Sequence, residues 1–318
     1  MSAISELSTV RRTKAKTPEE RQLAAKEASR DNKAGYLFLL PWLIGLVLIT
    51  IGPMLASLYL SFTNFSLIQA PEWTGLDNYV RMLTDQRLHN SLKVTFIYVL
   101  VSTPLQLAVA LGIALLLNEG MKGLPFYRSV FYLPSMLGAS VAIAVLWRQM
   151  FEVDGLVNQV LRLFGVNVTI SWIGDPSTAL WTIILLHIWT FGSPMVIFLA
   201  GLRQIPGMYY EAASVDGASH WAQFRKITLP LLSPIIFFNL VLQIINAFQA
   251  FTQAFVVSNG TGGPSDSTMF YTLYLYQRGF VQFQMGYAAA MAWLLVVIIG
   301  VFTAINFFLS KYWVFYGD

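Results

Sequence analysis

Leu231-Leu-Ser-Pro-Ile-Ile-Phe-Phe-Asn239-Leu-Val-Leu-Gln243-Ile-Ile-Asn246-Ala-Phe-Gln249-Ala-Phe-Thr-Gln253-Ala-Phe-Val-Val257 contains no Asp, Glu, Lys or Arg. It exceeds the ~20 residues that an α-helix needs to cross a hydrocarbon core. A charge at the centre of that core costs roughly 2.5–3.5 kcal/mol even on the lenient insertion scale. The stretch therefore reads as a membrane-spanning helix. Working outward, similar charge-free runs give candidate spans at 35–61, 94–117, 129–147, 179–202, 231–257 and 286–310. They are too long and too uniformly apolar for barrel strands, and helices satisfy their own backbone polar groups in lipid. The expected fold is all-α, a polytopic membrane protein with six transmembrane helices. Residues 35–318 form its membrane domain and 1–34 a polar tail.

The composition agrees. Charged residues make up 11% of the chain and hydrophobic ones 56%, against about a quarter charged in soluble domains. So few charges could not cover a soluble protein of 318 residues. Cysteine is absent, which excludes disulfides, thiolate metal sites and cysteine nucleophiles. His89, His187 and His220 are scattered, so neither a metal cluster nor a catalytic constellation is expected. The net charge of +4 matters through its distribution, and no nucleic-acid partner is implied. Residues 1–34 lack the apolar core of a cleavable signal peptide and read as a loosely ordered tail.

Segments 1–34, 118–128, 203–230 and 311–318 hold 14 of the 20 Lys and Arg, and the intervening 62–93, 148–178 and 258–285 hold 6. The basic side is expected to be cytoplasmic, with both termini inside a cell membrane. On the opposite side, 73–92 can form an amphipathic surface helix, and Leu156, Val157, Val160, Leu161 and Phe164 recur at helical spacing. Asn259-Gly-Thr-Gly-Gly-Pro264 reads as an irregular loop. These segments suit either a cap for a delivering partner or ordinary loops packed on their own helix ends.

The cytoplasmic loop 203–230 is unlike the others: Arg203-Gln-Ile-Pro206-Gly-Met-Tyr-Tyr-Glu211-Ala212-Ala213-Ser-Val-Asp216-Gly217-Ala-Ser-His220-Trp221-Ala-Gln-Phe224-Arg-Lys-Ile227-Thr-Leu229-Pro230. Pro206 can open a helix, Asp216-Gly217 is a stop-and-turn signal, and Ser219 is a reasonable N-cap for a second short helix. Leu229-Pro230 is expected to end that second helix. Ala212 and Ala213 keep one face small, and Glu211 offers a charge to a basic groove. Tyr209, Tyr210, Trp221 and Phe224 are bulky anchors of the kind that dominate interfaces. Such a helical hairpin either docks on another protein or packs on itself.

The pattern Glu211-Ala-Ala-x3-Gly217-x9-Ile227-x-Leu229-Pro230 resembles the "EAA" signature of the integral-membrane subunits of binding-protein-dependent ATP-binding-cassette (ABC) importers. The likeness extends over 35–318. Gly75-Leu-Asp-Asn-Tyr79, Phe126-Tyr-Arg128-Ser-Val-Phe-Tyr-Leu-Pro134, Asn259-Gly260 and Gly262-Gly-Pro264 resemble carbohydrate permeases, in particular the larger maltose-type and the glycerol-phosphate-type subunits. One departure is the two-residue interruption at Gly260-Thr261 within a usual Asn-Gly-Gly-Pro. The resemblance implies a type I importer fold and a coupling role for Glu211, Ala212, Ala213, Asp216 and Gly217 against an ATPase. It also implies a second homologous permease subunit, two ATPase subunits carrying ATP and Mg, and an external solute-binding protein. The chain has no G-x-x-x-x-G-K-[S/T] phosphate loop, so ATP is expected on separate subunits, with no cofactor expected in this chain.

With no charge in the spans, a solute path must use neutral polar groups. Asn239, Gln243, Asn246, Gln249 and Gln253 fall, at about 100° per residue, within one stripe about 120° wide. That stripe either lines a pathway or bonds to neighbouring helices, each such bond contributing about 0.6 kcal/mol. In the fourth span, His187, Thr190 and Gly192 join it as pathway candidates, beside Gly192-Ser-Pro194, which interrupts the helix. His187 is equally readable as a neutral histidine bonded to a neighbour. The resemblance favours sugar contacts from the fourth and fifth spans, with Gln243 and Asn246 foremost. An ion- or proton-coupled carrier is the rival reading, but it would usually need acidic residues in the membrane.

Overall fold

The computed structural model describes residues 35–120, 123–138 and 140–315; the expected tail 1–34 lies outside the described residues. The chain divides into two compact units, Met1–Tyr59 and Leu60–Asp318. In the first, helix α1 (Gly35–Leu60) is long and apolar enough to cross a membrane. It carries a π-helical turn at Leu46–Ile51, closed by Gly52 N–H donating to Val47 O. This wider turn precedes Pro53, which has no N–H to give an α-helical bond.

The second unit holds α2 (Asp77–Met82), α3 (Gln86–Asn118), α4 (Leu124–Leu137), α5 (Val141–Met150), α6 (Leu156–Leu163), α7 (Ala179–Trp189) and α8 (Gly192–Leu202). It continues with α9 (Met208–Val215), α10 (His220–Gln223), α11 (Leu229–Phe248), α12 (Thr252–Val257), α13 (Tyr271–Tyr276) and α14 (Met285–Ser310). No strand forms among the described residues, only an isolated bridge between Thr63 and Trp73. The spanning helices match the six expected runs when the bent pairs α4–α5 and α7–α8 each count as one.

Several boundaries differ from expectation, each for a local reason. The second span starts at Gln86 rather than 94 because Asp85 caps it, accepting from the N–H groups of Arg87 and Leu88 at 3.1 Å each. The surface helix expected over 73–92 is therefore only the short α2, its remainder being drawn into α3. The third run is bent, with Ser140 capping α5 through Ile143 N–H. The fifth span breaks at 249–251, between α11 and α12. Leu229-Pro230 does not end the second helix of the hairpin. Instead α10 passes through a π-helical turn (Phe224–Thr228) straight into α11. Leu229 N–H donates to Phe224 O, and Pro230 sits in the first turn of α11, where a missing N–H costs little.

Two apolar clusters hold the bundle. One gathers Tyr98, Phe248, Phe270, Tyr271 and Met291; the other gathers Leu107, Met195, Phe198, Leu199 and Leu232. Lipid is as apolar as these side chains, so close packing rather than water exclusion supplies most of their cohesion. On α3, the buried residues between the two clusters, Ser102, Thr103 and Gln106, are all polar.

Candidate functional site

The break between α7 and α8 follows from Pro194. Its missing N–H leaves Thr190 O without the usual partner four residues on, and the span bends by 40°. Two neighbouring helices supply the lost donors. Gln106 Nε2 on α3 reaches His187 O and Thr190 O at 3.1 Å each and Thr190 Oγ1 at 3.0 Å. Ser135 Oγ on α4 donates to Thr190 O at 2.8 Å and accepts from Ser193 N–H at 2.8 Å. Thr190 Oγ1 itself donates to His187 O at 2.7 Å. An unwound backbone in a membrane protein is tolerated where it lines a cavity or finds such partners.

It lines a cavity. A cleft of about 280 Å³ is bounded by Gln106, His187, Thr190, Gln243, Asn246 and Gln253, with Tyr98 and Ser135 also in its wall. No acidic or basic residue other than His187 borders it. Within its wall, Gln253 donates to Gly138 O at 3.2 Å, and the Tyr98 ring packs edge-on to His187 at 5.4 Å.

Five of the eight pathway candidates read from the sequence thus border one cleft. The other three do not. Gln249 is displaced because the helix stops at Phe248, so an extrapolated straight stripe no longer applies. Gly192 is buried against α4, where a Cβ would meet Phe131 O at 2.5 Å and Tyr132 Cα at 2.8 Å. It is a close-approach position and not a cleft lining. Asn239 is fully buried outside the cleft lining, and neither of its amide atoms has a hydrogen-bond partner among the described residues. Gln106 and Ser135 were not singled out from sequence; a Gln within an apolar run and a Ser after Pro134 were the available signals.

At the basic end, α9 and α10 form the hairpin. Gly217, with φ of +75°, ends α9 in the left-handed conformation. Its N–H bonds Ser214 O at 3.1 Å and Ala218 N–H bonds Ala213 O at 2.9 Å, the doubly bonded helix stop that glycine favours. Ser219 caps α10 through Ala222 N–H, and Gln223 Nε2 donates to Ser214 Oγ at 2.9 Å, tying the two helices together. Tyr210 turns inward to Thr228 (3.0 Å between hydroxyls), so it braces the hairpin. Glu211, Ala212, Asp216 and Gly217 are exposed and Ala213 is half-buried. Val215 is 89% and Trp221 68% exposed, which leaves an apolar face uncovered within this chain.

At the opposite end, an ionic network fixes the loops. Asp85 pairs with Arg278 at 3.0 Å and accepts from Tyr274 OH at 2.7 Å and Tyr287 OH at 2.8 Å. Burial pushes the Asp85 carboxyl up, but the two tyrosine hydroxyls, the Leu88 N–H and the Arg278 charge outweigh it and hold it below 3.8. Burial, with the adjacent carboxylate, pushes Tyr274 up to about 12. Arg87 forms a two-pronged pair with Asp266 at 2.8 and 2.9 Å.

The sequence profile described as "binding-protein-dependent transport system inner membrane component" matches residues 91–313. The chain belongs to this family. Among curated relatives, the permease is 54% identical over 92% of its length to 95% of the probable ABC transporter permease protein YesP of Bacillus subtilis. It is 31% identical over 87% of its length to 94% of the lactose transport system permease protein LacF of Rhizobium radiobacter. It is 33% identical over 78% of its length to 84% of the trehalose/maltose transport system permease protein MalF of Thermococcus litoralis. A bacterial alginate ABC transporter, crystallised with an alginate pentasaccharide-bound periplasmic protein, has a chain of the same fold. That chain superposes with a TM-score of 0.74 at 22% identity, covering 90% of this chain and 96% of that one. As a binding-protein-dependent ABC permease, the protein is an inner-membrane transport component and not an enzyme; ATP hydrolysis resides in separate subunits.

Proposed function

We propose that the permease passes a neutral saccharide through the cleft between its second, third, fourth and fifth spans. The observation that carries this reading is a wall of amides and hydroxyls, Gln106, Ser135, Thr190, Gln243, Asn246 and Gln253, at the level where the spans carry no acidic or basic group but His187. Amides donate and accept at once, as sugar hydroxyls do, and Tyr98 adds an aromatic surface. The named cargoes of the relatives, lactose and trehalose/maltose, are saccharides too. They differ among themselves, which supports the class and not one sugar. Gln243→Ala and Asn246→Leu are expected to lower uptake about tenfold at unchanged subunit assembly, measured with radiolabelled sugar in proteoliposomes. Normal uptake by both at normal protein level would remove the cleft from the path.

In the same reading, both termini and the 203–230 hairpin face the cytoplasm, and residues 35–318 act as one permease domain. The exposed face of Glu211, Ala212, Ala213, Asp216 and Gly217 seats in a cleft of an ATPase subunit. A second homologous permease completes the pathway, two ATPases bind ATP and Mg beneath it, and an external solute-binding protein delivers cargo. Alternating access is then a two-state change that nucleotide and loaded binding protein bias from opposite sides.

A further inference from the structure

Beyond the membrane cleft, the described residues contain a larger hollow, about 560 Å³, at the end of the bundle remote from the hairpin. A second hollow of about 330 Å³ adjoins it, and the two share Arg148, Glu152 and Asn259 in their walls. Gln149 and Phe255 line the first and Ser171 the second. Nothing in the transport reading so far uses these side chains.

The hollow lies directly along the chain from the cleft. Gln253, on the first turn of α12, borders the cleft; Phe255 and Asn259, up to two turns further on, border the hollow. Likewise Gly138 borders the cleft just ahead of α5, and Arg148 and Gln149 close α5 in the hollow. Phe255, in the wall of the hollow, packs on Phe251 at 5.2 Å and on Tyr276 at 5.5 Å.

The polar groups of the hollow are held but not saturated. Arg148 Nε stands 3.7 Å from Glu152 Oε1, too far for a good hydrogen bond. Arg148 Nη1 also donates to Asn259 Oδ1. Glu152 Oε2 accepts from Ser171 Oγ at 2.9 Å. The guanidinium has donors only and the carboxylate acceptors only, so a pair of adjacent hydroxyls, each donor and acceptor, can bridge them. The ring of Phe255 offers a face for the C–H side of a sugar. A carboxylated sugar would meet Glu152 as a like charge.

We infer that this hollow is an entry station for a neutral saccharide, with Arg148, Glu152 and Asn259 bonding its hydroxyls and Phe255 packing on its ring, before it reaches the cleft. The inference rests on the orientation proposed above, which puts this end outside.

The natural absence of cysteine makes the test direct. Val145, also in the hollow's wall, is replaced by Cys in the assembled permease–ATPase complex, with partner subunits freed of accessible cysteines. Its labelling by an impermeant maleimide is timed with maltose, lactose or sodium glucuronate present. The expected result is at least threefold slowing by one of the neutral disaccharides and none by glucuronate. The slowing disappears on adding Arg148→Gln or Glu152→Gln, and Leu163→Cys, exposed elsewhere on that end, shows no sugar effect. Unchanged labelling with both disaccharides overturns the proposal, as does slowing that survives both charge substitutions. If the solute-binding protein alone protects Val145→Cys, the hollow is a protein-docking surface and the proposal also falls. The cleft is judged separately by Gln243→Ala uptake, so either site can fail while the other stands.

Discussion

At the residue scale, the bend in the fourth span depends on side chains from other helices. Pro194 frees a carbonyl, and Gln106 and Ser135 bind it. Gln106→Leu removes one donor from each of three oxygens, leaving Thr190 O to Ser135 alone, and costs about 1–2 kcal/mol. The expected outcome is a lower unfolding temperature in detergent together with reduced uptake. Asp85 permits a signed pH prediction. Its carboxyl is depressed in the folded state, so its contribution is complete above the ordinary value of 3.8 and is lost as pH falls through the lower folded value. Asp85→Asn, which strips the charge from a mostly buried pair with Arg278, is expected to cost about 3 kcal/mol. Thermal unfolding at pH 7 and in steps below pH 4 checks both, with the difference between wild type and variant shrinking in acid.

At the scale of elements, the hairpin was the most legible part of the chain. Its turn, its caps and its exposed small residues follow from Asp216-Gly217, Ser219 and Ala212-Ala213. Its end was not legible. Pro230 reads as a breaker, yet a π turn ahead of it gives the proline a first-turn position, so α10 and α11 are continuous. Such a turn depends on tertiary support, here Tyr210 on Thr228, which no local pattern announces. Gly217→Asp places a side chain at φ of +75°, a strain of about 1–2 kcal/mol, and adds a charge to the exposed face. The expected outcome is weak ATPase co-purification or hydrolysis without uptake. Wild-type coupling, read as sugar imported per ATP cleaved, would count against the seating of this face.

At the scale of the whole molecule, the six spans were legible because lipid tolerates so little variety: a charge-free run of sufficient length has one outcome. The polar cleft was half legible. Gln243, Asn246 and Gln253 share it as periodicity implies, but Gln249 leaves because the fifth span breaks at 249–251, and Gln106 enters from a helix with no amide stripe to advertise it. Contributions from several spans become visible only when the bundle is assembled.

The ionic groups of the described bundle gather at its two ends, while the stretches between them are electrically neutral. Moving one elementary charge through 100 mV is worth about 2.3 kcal/mol, and here there is almost nothing for that voltage to grip. For the neutral saccharide proposed above, uptake is therefore expected at the same rate whether the membrane is polarised or not. In vesicles clamped with valinomycin and potassium gradients, uptake should hold steady from zero to strongly negative inside, and the cell's electrical reserve stays free for other carriers.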